Sequence, residues 1–386
     1  PFEGVNGSGK HNNWSIATND GQNLLNPGST PMENLQFLTF LCAVIKGVDE
    51  YADLLRISAA SAANDHRLGA NEAPPAIISI FMGEELQGVL DALVSGDTYT
   101  SESMTFKIGV DALPDFPKDS TDRNRTSPFA FTGNRFEFRM VGSSENIACP
   151  NHMLNTIVAS ELSDIADKME KVPADQFKDE LKKLLAEIVK EHKRVIFNGD
   201  GYSDAWVEEA AKRGLPNYKT TADCVPHYAD EKNVKLFEKF GIFSKAEIEA
   251  RVEILLESYS KTINIEALTM IDMTKKKYIP ACLTYSKELA DAIAVKKSID
   301  VCSCVEKDLV KKVTDETEKA YDAVQKLEEV TAVAAAKTCM QEMANAYRDT
   351  VLPVMDELPK AVDALEVLLP STMWPVPAYS EMIFNV

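Results

Sequence analysis

At 386 residues, with 45% hydrophobic and 26% charged side chains, the chain has the composition of an ordered globular protein and length for two or three domains' worth of core. A formal net charge of -19 argues against polyanionic partners, so neither nucleic acid nor an anionic membrane surface is expected, and an anionic ligand must be met by local arginines. Seven cysteines without a CxxC pair read as reduced thiols of a cytosolic protein, the Cys302-Ser303-Cys304 pair being incidental on this reading; no signal peptide and no bilayer-length apolar run is apparent.

Residues 1–30 are rich in Gly and Asn, with a short strand expected from Trp14 to Thr18. Gly4-x-x-x-x-Gly9-Lys10 comes close to the phosphate loop of nucleotide hydrolases and fails it. His11 stands where that loop needs a Ser or Thr for magnesium, and Asn12-Asn13-Trp14-Ser15-Ile16 reads as strand where a helix should follow. What remains is a glycine turn delivering an imidazole, with Asn13 and Ser15 on the His11 face if the strand starts there. A lone His is more often an ordinary surface or core residue.

Ser29-Thr30 ahead of Pro31 predicts a helix start with Pro in the first position, and apolar residues at helical spacing continue through 32–59. The segment 64–75, with Gly, Asn and paired Pro, predicts a loop, and an exposed loop holding Arg67 and Glu72 can act as a lid or simply connect. In Arg135-Phe136-Glu137-Phe138-Arg139, alternation places Phe136 and Phe138 in a core and Arg135, Glu137 and Arg139 on one polar face. A carboxylate between two guanidinium groups stays charged and leaves arginine donors for a phosphate or carboxylate; a cross-strand ion ladder on a solvated face fits the pentapeptide equally well. Helical patterns follow over 151–191 and 204–214, separated by an Asn198-Gly199-Asp200-Gly201 turn. Long Ala-, Glu- and Lys-rich amphipathic stretches then predict a helical bundle or coiled-coil hairpin, and the Pro-punctuated apolar tail from Ser371 is expected to dock on the body.

Four motifs occur in order between Asn6 and Arg139: Asn6-Gly7-Ser8-Gly9-Lys10-His11 with Asn13 and Ser15 following, Arg67-Leu68-Gly69-Ala70-Asn71-Glu72-Ala73-Pro74-Pro75, Asn124-Arg125-Thr126-Ser127, and Arg135-Phe136-Glu137-Phe138-Arg139. Together they resemble the catalytic half of glutamine synthetase, and the Lys10-His11-Asn12-Asn13 wording, the Ser127-to-Met140 run and the long tail resemble its type III class. Weaker similarity extends through 241–247. The resemblance implies an α+β catalytic domain over 1–258, an antiparallel sheet with helices, truncated on its N-terminal side, followed by a helical extension with a docking tail over 259–386. It also implies that the family's β-grasp domain, its other metal-binding glutamates and an aspartate reaching a neighbouring subunit's site would precede Pro1, so that this chain alone would be inactive.

The implied reaction is ATP-dependent ligation of ammonium to glutamate through γ-glutamyl phosphate, in a cytoplasmic, ring-like homo-oligomer. Such chemistry must hold several anions together, which Mg2+ or Mn2+ and arginines accomplish by neutralising charge. By resemblance, His11 and Glu137 ligate the metal, Arg125 stabilises the phosphoryl group in flight, and Arg135, Asn13 and Ser15 serve the nucleotide. Arg67 and Arg139 clamp the substrate carboxylates beside Asn6 and Gly7, and Glu72 on the lid binds and deprotonates ammonium. Two departures stand out: Ala130 replaces an arginine of the shorter classes, and the stretch between Pro75 and Asp122 is longer. Asn13 likewise replaces a common histidine. A related γ-glutamyl-amine ligase and a catalytically inactive relative are the other readings, and the joint retention of His11, Arg67, Glu72, Arg125, Glu137 and Arg139 argues against the last.

Overall fold

The computed structural model describes residues 9–69, 73–97, 99, 126–378 and 381–382, together with the backbone of two short strands at 105–106 and 116–117. The chain divides into two compact units, Pro1–Val252 and Glu253–Val386.

The first unit is built on a four-stranded sheet in the order β1 (Asn12–Trp14), β6 (Phe136–Phe138), β5 (Phe129–Phe131), β2 (Ile80–Phe81). The expected antiparallel sheet is mixed: β1, β6 and β5 pair antiparallel, whereas β2 runs parallel to β5. A parallel pair needs a long crossover, and the stretch from Phe81 to Phe129, which contains α4 (Gly83–Ser95), supplies it. The strands β3 (Thr105–Phe106) and β4 (Phe116–Pro117) form a separate antiparallel pair.

Alternation in β6 works as the sequence predicts. Phe136 and Phe138 are fully buried, and Phe129 stacks on Phe136 with ring centroids 4.7 Å apart while Phe131 meets Phe136 edge-on at 5.2 Å. Each such ring contributes about 1.5–3 kcal/mol by leaving water. On β1, Asn12 and Trp14 share this inner face and donate to Asn151 and Asn155 of α5 (Ala148–Met169), both at 2.8 Å. Thus the helix fixes the strand that begins one residue after His11.

The first long helix starts later than Pro31. Pro31 lies in a turn closed by Glu33 N to Thr30 O at 3.1 Å, and Asn34 is the cap of α1 (Leu35–Glu50), accepting from Phe37 N at 3.0 Å. The predicted continuous helix is also broken, into α1, α2 (Ala52–Ile57) and α3 (Ala62–Arg67), the last capped by Ser61. Arg67 therefore ends a helix instead of riding in a loop. α1 packs against α5 closely enough that a Cβ on Gly47 would stand 2.5 Å from Ile157 Cγ2. Buried Asp49 of α1 ties down α6 (Phe177–His192), accepting from Arg194 Nε at 2.8 Å and lying 2.9 Å from His192 Nδ1. The unit continues with α7 (Asp204–Lys212), α8 (Thr221–Cys224) and α9 (Glu231–Lys239), and the division between units falls within α10 (Lys245–Met273).

The second unit is helical among its described residues. α11 (Ile279–Ser298), α12 (Cys304–Ala335), α13 (Met340–Ala346), α14 (Leu352–Met355) and α15 (Leu358–Leu368) follow, with wider π-turns at Thr274–Tyr278 and Tyr347–Val351. The buried residues of α12, Val313, Thr317, Ala320, Val324, Leu327, Thr331 and Ala334, alternate spacings of four and three, which is a coiled-coil seam. It packs on α11 and α15. In the tail, Trp374 is buried and stacks on Tyr278 at 5.1 Å. Among the described residues no helix is long and apolar enough to cross a membrane.

Candidate active site

The face of the sheet opposite the phenylalanine core carries the polar residues. In the β1/β6 register Asn13 faces Glu137, and in the β5/β6 register Ala130 faces Glu137 from the other side. Beyond β1 the ladder continues with Lys10 N donating to Val141 O at 2.9 Å, which brings His11 alongside Glu137 and Arg139.

Glu137 is nearly buried and its two oxygens are divided between partners. Oε1 lies 2.8 Å from His11 Nδ1, and Oε2 accepts from Arg139 Nη2 at 2.7 Å and Nε at 3.0 Å. Burial pushes the Glu137 carboxyl up, but the hydrogen bonds and charge of Arg139, with those of His11, outweigh it and hold the group below its ordinary value. The partners are thus one guanidinium and one imidazole, not the two guanidinium groups that alternation alone suggests. Arg135 is exposed, in the turn between β5 and β6, where its carbonyl accepts from Thr132 N at 2.8 Å. That turn also receives Ser15, whose Oγ lies 3.1 Å from Asn134 O and 3.0 Å from Asn23 Oδ1. Asn13 is exposed.

Arg67 reaches the same end of the sheet as Arg139. Its Nη1 donates to Met140 O at 3.0 Å and to Asn64 Oδ1 at 3.2 Å, and its Nη2 donates to Arg139 O at 3.1 Å. Its Nε is buried without a hydrogen-bond partner among the described residues, and burial lowers its pKa. The Nε and Nη2 edge, the fork that grips a carboxylate, lies against Gly9: a Cβ there would come within 2.0 Å of Nη2 and 3.2 Å of Nε. A side chain at position 9 would therefore displace the Arg67 guanidinium, so Gly9 matters through close approach rather than through a turn conformation. Asn6, Gly7, Glu72 and Arg125 lie outside the described residues. Around them, Gly69 N donates to Pro74 O at 2.9 Å, tying the two ends of the Glu72 segment, and Gly201 N donates to Thr126 Oγ1 at 2.7 Å.

Sequence reasoning missed the supports. Asn64 is buried and donates to both Met140 O at 2.8 Å and Ala59 O at 2.7 Å while accepting from Arg67, so it holds Arg67 to the end of β6. Glu145 accepts from Ser61 Oγ at 2.5 Å and from Gly142 N at 3.1 Å, and its carbonyl accepts from Lys10. The only available signal for Asn64 is its place one helical turn before Arg67.

The His11 and Glu137 donors suit a hard divalent cation. Their 2.8 Å contact is a hydrogen bond, so Nδ1 and Oε1 would exchange it for the cation on binding. Among the described residues no group of three or more His, Cys, Asp or Glu side chains converges, so His11 and Glu137 stand as a pair.

An imidazole–carboxylate pair beside the buried Arg139 and the half-buried Arg67, mounted on a small mixed sheet within helices, is a charged site suited to an anionic ligand. The comparisons with known proteins point to one family. The glutamine synthetase C-terminal domain family matches residues 180–297. Over its whole length the chain is 48% identical to a glutamine synthetase of Butyrivibrio fibrisolvens, 43% to a type-3 glutamine synthetase of Dictyostelium discoideum and 39% to a glutamine synthetase of Bacteroides fragilis (strain YCH46), covering 55%, 53% and 54% of those proteins. The chain belongs to the glutamine synthetase family, and it spans about half the length of the curated relatives it matches.

Proposed function

We propose that this chain carries the metal edge and the carboxylate clamps of a glutamate–ammonia ligase that activates glutamate as γ-glutamyl phosphate. The observation that carries this reading is Glu137, charged and shared between His11 Nδ1 and Arg139, with Arg67 at the same sheet end. The polar face has two ends. Arg139 and Arg67 lie at one and Arg135 with Ser15 at the other, four residues of strand apart or ~13 Å, with Glu137 between. That order suits glutamate at the first end and nucleotide phosphates at the second, so that the reacting carboxylate and the γ-phosphate meet near Glu137.

His11 and Glu137 would hold Mg2+ or Mn2+, which, when bound, withdraws charge from the transferring phosphoryl group. Arg139 stays tied to Glu137, keeping that carboxylate ionised and oriented, and Arg67, whose Nε and Nη2 edge is covered by the Gly9 segment in this arrangement, would take the glutamate carboxylate once that segment shifts. Arg125 is assigned to the phosphoryl group and Glu72 to ammonium, each by family resemblance. Ala130, opposite Glu137, leaves that position without a cation, so nucleotide charge falls more heavily on Arg135. The proposed assembly is a homo-oligomer. Ile254, Ile265 and Leu268 are exposed at spacings of eleven and three along α10, one helical stripe, and such a stripe suits a second copy of the chain.

The test is a product assay on the full-length protein with glutamate, ammonium, ATP and Mn2+. Glutamine formed in step with phosphate release is the expected result. Phosphate release that responds to a primary amine far better than to ammonium would replace this reading with the γ-glutamyl-amine ligase.

A further inference from the structure

The turn between α11 and α12 brings together two thiols that the proposed ligase chemistry does not use. Val301 N returns to Lys296 O at 2.9 Å to close α11, and Asp300 takes the left-handed conformation with φ 57°. This fold-back sets Cys302 Sγ 2.6 Å from Cys304 Sγ. Both cysteines are exposed, and the apolar side chains of Ile299, Val301 and Val305 around them are exposed as well. Cys304 is the first residue of the 32-residue α12, and the open backbone N–H groups at that helix end favour a thiolate on the neighbouring Cys302. An ion pair between Lys296 of α11 and Glu306 of α12 holds the two helix ends together across the turn. The spacing alone reads as incidental; the contact does not.

The other thiols differ in kind. Burial pushes Cys42 and Cys224 up to about 12 and Cys149 up to about 11, which keeps them protonated and inert. Cys282 is also buried and raised, and Cys339 is exposed.

We propose that Cys302 and Cys304 are a redox-active dithiol that low-molecular-weight disulfides oxidise to an intramolecular disulfide. The hydrogen bond from Cys304 and the backbone N–H of Cys304 lower the Cys302 thiol, and the same contact raises Cys304, which orders the two steps. Cys302 thiolate attacks one sulfur of the small disulfide, the S–S bond breaks, and the first thiolate leaves and takes up a proton. Cys304 then gives up its proton and attacks Cys302 Sγ, expelling the second thiolate. Two protein thiols lose two electrons in total, and the small disulfide is reduced to two thiols. A disulfide closed over one intervening residue and open to solvent belongs to the labile kind, so a dithiol reductant returns it.

The test uses the full-length protein incubated with oxidised glutathione and digested with trypsin. Segment 298–307 carries both cysteines between Lys297 and Lys307. The expected peptide is two hydrogens lighter, resists alkylation, and recovers both thiols after dithiothreitol. Cys304→Ser should stop at a glutathione adduct on Cys302, whereas Cys302→Ser should react at Cys304 at least ~tenfold more slowly than native Cys302. Persistent glutathione adducts on the native pair without the internal disulfide overturn the proposal, as does oxidation of the pair no faster than adduct formation at Cys339.

Discussion

Replacing Glu137 by Gln keeps the shape of the side chain and removes its charge, which separates its two tasks. Its side chain is 11% exposed and that of Arg139 is 4%, so the substitution leaves a buried guanidinium without its counter-ion. Deleting one partner of such a pair costs about 3–5 kcal/mol, and the amide oxygen can still accept one bond from Arg139, so a loss of about 2–3 kcal/mol is expected. For a domain of this size that lowers Tm by roughly 5–10 °C. The pH sign follows from the folded carboxyl lying below its ordinary value of 4.5. The native protein carries this stabilisation above pH 4.5 and loses it as pH falls through the lower folded value, so the two Tm curves should converge in acid. The amide also deprives a cation of its anionic ligand: turnover of the full-length protein should fall at least ~100-fold, about 2.7 kcal/mol of barrier, and Mn2+ affinity should drop with it. Calorimetric titration of Mn2+ into native and variant protein decides the matter. Unchanged affinity would refute the metal role of Glu137, even if Tm falls as calculated.

The remaining expectations are narrower. Gly9→Ala places a methyl against the flexible end of Arg67, so Tm should change little while KM for glutamate rises at least ~10-fold, or ~1.4 kcal/mol; an unchanged KM would show that Arg67 does not bind the substrate. Glu72→Ala should abolish glutamine formation yet leave glutamate-dependent ATP cleavage, because water then takes the activated acyl group, and equal loss of both activities would move Glu72 to the nucleotide. Ile265→Glu together with Leu268→Glu puts charge on an exposed apolar stripe of α10, so light scattering should report a smaller assembly of the full-length protein with its helix content intact; an unaltered mass would assign the stripe to open surface.

The sequence by itself determined the local facts. Period-two alternation decided that Phe136 and Phe138 face inward and Glu137 and Arg139 share the other face, because pleating leaves a strand no alternative. The four ordered motifs identified the family, and the spacing along α12 was already that of a packed helix seam. Tertiary structure decided which groups meet. His11 and Glu137 are 126 residues apart in the chain, and only the antiparallel register of β1 on β6, pinned by Asn12 and Trp14 against α5, brings Nδ1 to Oε1. Helix boundaries moved for a similar reason: Asn34 captured the cap that Ser29 and Thr30 offered, and Ser61 started a separate helix that aims Arg67 at the end of β6. Asn64, Gly9 and the Cys302–Cys304 contact stayed invisible because their significance lies in close approach, and neither composition nor periodicity encodes the distance between residues that a fold brings together.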